Sequence, residues 1–176
     1  VLYFTDKNIL NIAGYISADI NEKMALFLGA GYSDFKYSQY NYEFFSKGLF
    51  FKAGIDLNIL KPEVSAGRYW AGVGIRYGIS NFTSGTPAFT FQDYWGTINS
   101  SIESAKSWGH YIELSPGFRA ELFRNLSIGW SISLRKLLYP GSQKDIRPQY
   151  VPGYGPGGES VSVGIGYFIS WNIQFR

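Results

Sequence analysis

VSVGIGYFISWNIQFR, residues 161–176, alternates from end to end. Val161, Val163, Ile165, Tyr167, Ile169, Trp171, Ile173 and Phe175 share one parity; Ser162, Gly164, Gly166, Phe168, Ser170, Asn172, Gln174 and Arg176 share the other. Side chains along a strand point to opposite faces in turn, so this is one strand with an apolar face and, Phe168 apart, a small or polar face. A half-buried strand in a water-exposed sheet usually runs ~5–6 residues. A tilted strand crossing a bilayer needs about 9–11 and carries the same dyad pattern. The apolar face is therefore expected to meet lipid.

The pattern recurs upstream. Leu10, Ile12, Ile16, Ala18 and Ile20 oppose Asn11, Tyr15, Ser17 and Asp19, and Met24, Leu26, Leu28, Ala30 and Tyr32 oppose Gly29, Gly31 and Ser33. Strands are expected over 48–60, 67–82, 107–122 and from Leu126 to Arg135. Between them, short turns fall at 21–23, 61–66 and 123–125, and long loops at 33–47, 81–106 and 139–160. Such alternation of short and long connections fits a membrane barrel with short periplasmic turns and longer extracellular loops. A soluble ligand-holding barrel would keep its apolar face inside. Here the opposite face is rich in glycine and poor in ordinary surface residues.

The composition fits. The 176 residues suffice for one domain, 1–176; there is no cysteine and one histidine, which excludes a disulfide framework and a multi-histidine metal site. Charged residues make up 16% and aromatics 19%, against a usual charged fraction of ~25%. The net charge of +3 comes without a clustered basic face and does not point to nucleic acid.

Seven long strands are visible, and single-chain bacterial barrels have an even number. The last strand follows a long loop and so descends. Counting back, the strand from Leu10 also descends, and a rising strand is expected before it, either with Val1–Phe4 as its remnant or missing from this sequence. The expected fold is all-β: an eight-stranded antiparallel transmembrane β-barrel whose first strand is short or incomplete, leaving part of the closing strand's edge open.

These residues resemble small eight-stranded outer-membrane barrels of the OmpA/OmpX type. The segments GLFFKAGIDLNIL (48–60), WAGVGIRYGISNF (70–82) and YVPGYG (150–155) are similar to an uncharacterised outer-membrane barrel family of Bacteroidota. The resemblance implies a bacterial outer-membrane location and carries no assigned chemistry.

Candidate sites follow from parity. Asp19, Lys52, Asp56, Arg68, Arg76, Glu113, Arg119, Glu121 and Arg135 point inward, where a narrow barrel has room only for side chains. Buried charges must pair, so Lys52, Asp56, Arg76, Glu113, Arg119 and Arg135 are expected to form a lumen ion-pair network. The tight turn at 123–125 sets Leu122 opposite Leu126 and so Glu113 opposite Arg135, with a salt bridge between them. The aromatic loops offer Tyr37, Tyr40, Tyr42, Phe44, Tyr150 and Tyr154 as partner contacts, and Pro140, Pro148, Pro152 and Pro156 stiffen the second of these loops. His110 has outward parity, and Ser107, Asp93 and Glu103 lie near it in sequence. It reads as a member of an aromatic belt, the alternative being a rim enzyme acting on lipid or peptide.

An eight-stranded barrel is too narrow for a general pore. The expected function is a non-enzymatic structural or accessory subunit of a larger outer-membrane complex, of the protein assembly or secretion type, with a loop-mediated adhesin as a further alternative. Expected partners are outer-membrane lipid and other outer-membrane proteins; no cofactor, metal or nucleic acid is expected.

Overall fold

A computed structural model describes residues 9–21, 23–39, 42–60, 69–93, 96–123, 125–141 and 148–171. Seven long strands follow one another: β1 (Ile9–Asn21), β2 (Met24–Gln39), β3 (Tyr42–Asn58), β4 (Tyr69–Asp93), β5 (Gly96–Phe123), β6 (Leu126–Tyr139) and β9 (Val161–Trp171). Two short strands, β7 (Tyr150–Val151) and β8 (Gly155–Pro156), lie between β6 and β9. The long strands form one curled antiparallel sheet in the order β1-β2-β3-β4-β5-β6-β9. No described helix is long and apolar enough to cross a membrane, which says nothing of crossing by strands.

Faces fall where parity puts them. Leu26, Leu28, Leu49, Phe51, Ile75, Ile112, Leu114, Ile128, Trp130, Leu134, Val163, Ile165 and Ile169 are all exposed on the convex side. On the concave side Phe27, Phe50, Phe82, Tyr111 and Glu113 are buried. The β6–β9 ladder runs without a shift from Leu126↔Trp171 to Lys136↔Val161. At ~3.3 Å per residue its ten steps measure about 33 Å. A tilt of ~40° would give the apolar band a height of about 25 Å, that of a membrane barrel.

Because each strand is antiparallel to its neighbours, the two edge strands of this seven-membered sheet, β1 and β9, run in the same direction. They cannot continue the antiparallel ladder with each other, yet they are near: the Tyr15 and Phe168 rings meet edge to face with centroids 5.8 Å apart. The expected first strand at Val1–Phe4, the turn at 61–66, Arg68, Tyr40 and residues 172–176 lie outside the described residues.

Three expectations need correction. The first two long loops are largely strand: β2 and β3 pair up to Gln39↔Tyr42, and β4 and β5 up to Asp93↔Gly96. Backbone pairing continues beyond the point where one face stops being apolar, so the dyad signal ends before the ladder does. The β5–β6 turn is also displaced by one residue. Phe123 pairs with Leu126, and the shift is absorbed between Glu121 and Phe123. Asn125, at φ 77, takes the left-handed position of the turn, and its amide donates to Glu121 Oε1 at 3.0 Å. From Glu121↔Ser127 to Tyr111↔Leu137 the expected register stands, including Glu113↔Arg135, and it shifts again at His110↔Tyr139. At the β1–β2 hairpin, on the same end of the sheet, Asn21 Oδ1 accepts from the amides of Lys23 and Met24 at 2.9 and 2.8 Å, the side-chain turn that asparagine favours.

The third correction concerns residues 139–160. Its described end folds back into the concave side instead of standing away from the sheet. Val151 and Tyr154 are fully buried and join Phe82 and Tyr111 in the main apolar cluster.

Candidate functional site: a charged cluster under an infolded loop

The site is built from inward positions of β3, β4, β5 and β6. Glu113 is the hub, its side chain only 1% exposed. Its Oε2 accepts from Lys52 Nζ at 2.6 Å and from Arg135 Nε at 2.8 Å, and its Oε1 accepts from Arg76 Nη1 at 3.2 Å. Arg76 Nη2 donates to Asp56 Oδ1 at 3.1 Å, and the Arg76 guanidinium lies 3.7 Å from the Phe27 ring centroid. Register explains the convergence: Arg76 pairs with Glu113 across β4–β5, and Arg135 pairs with Glu113 across β5–β6. Charges directly opposite on one face of an antiparallel sheet are in contact range. The cluster joins three cations to two carboxylates.

The infolded loop closes over it. Arg135 Nη1 donates to the Tyr154 carbonyl at 3.0 Å. Ser46 Oγ donates to the Tyr150 carbonyl at 2.9 Å, and Ser80 Oγ to the Pro152 carbonyl at 2.5 Å. Tyr150 stacks on Phe35 with centroids 4.5 Å apart. The loop is braced by its own bonds, Tyr154 N to the Val151 carbonyl at 3.1 Å and Tyr154 Oη to the Glu159 carbonyl at 2.7 Å. Gly153 (φ 75) and Gly155 (φ 118) supply the left-handed backbone that the reversal needs. A side chain at Gly153 would also strike Phe50 and the Tyr111 hydroxyl. The buried loop thus has partners for its polar backbone, as burial demands.

Five of the six expected network residues are brought together: Lys52, Asp56, Arg76, Glu113 and Arg135. Arg119 stands apart from them. It makes no ion pair among the described residues, and its guanidinium faces the Trp70 ring at 6.0 Å. Four positions down β5 from Ser115, it is beyond the layer in which Glu113 gathers its partners.

The expected partner contacts divide. Tyr37 and Tyr42 are partly exposed near the end of the β2–β3 hairpin, with ring centroids 6.4 Å apart. Phe44, Tyr150 and Tyr154 are buried and are not surface contacts. What sequence reasoning missed is that the loop enters the sheet. The signal was present in the inward rings Phe50, Phe82 and Tyr111, too apolar for a wet interior, and in the inward serines at 33, 46 and 80 that receive the loop.

His110 lies on the convex side between Tyr77 and Tyr139, with ring centroids 6.1 and 6.2 Å away. Its Nδ1 shares a hydrogen bond with the Tyr77 hydroxyl at 3.0 Å. Ser107, of opposite parity, is buried on the other face. Among the described residues no group of three or more histidine, cysteine or acidic side chains is placed to hold a metal.

No curated protein and no solved structure matches this chain. A family model matches it over its whole length, residues 1–176, and the chain belongs to that family, described as Domain of unknown function (DUF6048).

Proposed function

We propose that the chain is an integral β-barrel of a bacterial outer membrane, closed by an eighth strand, and that it acts without catalysis as a structural or accessory subunit of a larger outer-membrane complex of the protein assembly or secretion type. The observation that carries this reading is the convex face. Large apolar side chains stand exposed on β1, β2, β3, β4, β5, β6 and β9 alike. A soluble protein rarely leaves more than a few hundred Å² of contiguous apolar surface uncovered, whereas a bilayer covers such a band around a whole barrel. Charge buried on the concave side and apolar side chains exposed on the convex side invert the pattern of a water-soluble β-barrel.

Parity supports the eighth strand. One rising strand set between β1 and β9 is antiparallel to both and removes both open edges, which otherwise template pairing with other chains. The Tyr15–Phe168 contact limits the opening to a distance that side chains can bridge.

The interior supports an accessory role over a pore: the 150–157 segment and the Glu113 cluster occupy the path that a solute would take. The surroundings of His110, a tyrosine hydroxyl and two rings, match a belt residue rather than an activated nucleophile. Contact with a partner then falls to the β4–β5 hairpin. β5 pairs with β6 only from His110 toward Phe123, so its residues 96–109 extend beyond that ladder.

The test is expression of the chain behind an added secretory signal peptide in a Gram-negative host, followed by membrane fractionation and affinity purification after chemical crosslinking. The reading expects recovery from the outer membrane, resistance to carbonate extraction and a defined set of crosslinked outer-membrane proteins, lost when residues 86–103 are shortened. Carbonate-soluble protein, or an integral protein that never crosslinks, overturns the membrane or the accessory part respectively.

A further inference from the structure

Beneath the Glu113 cluster the concave side holds a partly open cavity of about 290 Å³. Lys52, Arg76, Glu113 and Arg135 bound one end; Trp70, Arg119, Tyr15 and Phe168 bound the other. The wall between is made of small residues, among them Ser115, Ser131, Ser133 and Gly166.

Two independent observations give this cavity a sign. The first is charge. Its lining carries four cations, Lys52, Arg76, Arg119 and Arg135, against three carboxylates, Asp19, Asp56 and Glu113. Asp56 and Glu113 are already held by Arg76, Lys52 and Arg135, while Arg119 has an aromatic ring and no carboxylate among the described residues. The second is unmet hydrogen bonding. Ser115, only 1% exposed, lines the cavity with an Oγ that has no partner among the described residues, and Arg76 Nε is likewise buried and unbonded among them. A guanidinium can only donate, and a buried donor without an acceptor is costly. A cavity with an excess of cations and spare donors is complementary to an acceptor-rich anion.

We propose that this cavity binds a small oxyanion of the phosphate or carboxylate class, with Arg119 as its counter-charge and the Ser115 hydroxyl and Arg76 Nε as donors along the wall. At a share of ~30 Å³ per water, the cavity has room for such an anion together with several waters. Guanidinium groups suit the planar edges and tetrahedral faces of these ions. Ser115 pairs with Gly74 across β4–β5, and the Asp56 carboxylate and Arg76 guanidinium occupy the space that a side chain at Gly74 would need.

The test is isothermal titration of the refolded full chain in detergent micelles with inorganic phosphate, against chloride at equal ionic strength. Saturable phosphate binding is expected, weakened at least tenfold by Arg119→Gln, partly restored by Arg119→Lys and weakened several-fold by Ser115→Ala. Folding of each variant is checked by its resistance to unfolding in cold detergent gel electrophoresis. Absence of saturable binding by the folded parent, or equal affinity in the folded Arg119→Gln protein, overturns the proposal while leaving the membrane reading intact. Binding only when a phosphate-bearing lipid is added, with none for free phosphate, also overturns it, since the proposed ligand is a free ion.

Discussion

Replacing Glu113 with glutamine changes one atom and removes the only charge that three cations share. The side chain is 1% exposed, and its partners Lys52, Arg76 and Arg135 are 13%, 15% and 21% exposed, so water is poorly placed to compensate. Two of the three bonds converge on Oε2, at 2.6 and 2.8 Å, and one reaches Oε1 at 3.2 Å. A glutamine placing its carbonyl at the Oε2 position keeps two weaker acceptor contacts and turns its NH₂ toward Arg76 Nη1, donor against donor. Each charge-assisted bond contributes about 1.5–3 kcal/mol, and breaking a buried pair from one side costs about 3–5 kcal/mol. The expected loss is therefore about 3–5 kcal/mol. Guanidinium unfolding in lipid vesicles, followed by tryptophan fluorescence, measures it. Lys52 bonds only to Glu113 among the described ion pairs, so Glu113→Gln combined with Lys52→Gln should cost at least ~1 kcal/mol less than the sum of the single changes. A loss below ~1 kcal/mol for Glu113→Gln, or strict additivity in the double variant, refutes the description of Glu113 as a buried hub.

Three further expectations concern other parts of the molecule. At Gly78, any side chain would run into the Tyr111 ring; Gly78→Ala should lower stability by about 1–3 kcal/mol through overpacking, and Gly78→Leu should prevent folding, both read from the same unfolding curves. Val151→Asp buries a charge at a fully buried position of the infolded loop and should detach it; a cysteine placed at Ser80, under the Pro152 carbonyl, should then react with a charged thiol reagent at least tenfold faster than in the Ser80→Cys protein that keeps Val151. Tyr77→Phe removes only an exposed hydrogen bond to His110 and should cost less than ~1 kcal/mol, with outer-membrane recovery unchanged.

The parts of the fold legible in the sequence were those where one face is apolar. There, a slip of one residue would turn every side chain to the wrong side, so pattern specifies register; the Glu113↔Arg135 pairing could be counted from a turn even though the turn itself was placed one residue off. Pattern failed where strands leave the apolar band. Around Tyr37, Tyr42, Phe44 and Phe45 aromatics alternate with polar residues on both parities, yet the β2–β3 ladder continues unbroken through them. The ion cluster was legible as a set of inward charges, but Arg119 shows that parity gives a direction and not a depth. Tyr150 and Tyr154 looked exposed because a Pro/Gly-rich segment reads as a free loop; the glycines instead supply the φ values by which the chain turns inward.

The most direct measurement is spin-label accessibility along β9. The chain has no cysteine, so single cysteines at successive positions from Ser162 to Ser170 can each carry a nitroxide in protein reconstituted into lipid vesicles. Oxygen concentrates in the bilayer and a nickel chelate in water. The expected result is a period-two alternation, with Val163, Ile165, Tyr167 and Ile169 accessible to oxygen and shielded from nickel, and Ser162, Gly164, Gly166, Phe168 and Ser170 accessible to neither or to nickel alone. Nickel accessibility at the odd positions equal to that of a water-exposed site would contradict a lipid-facing convex surface.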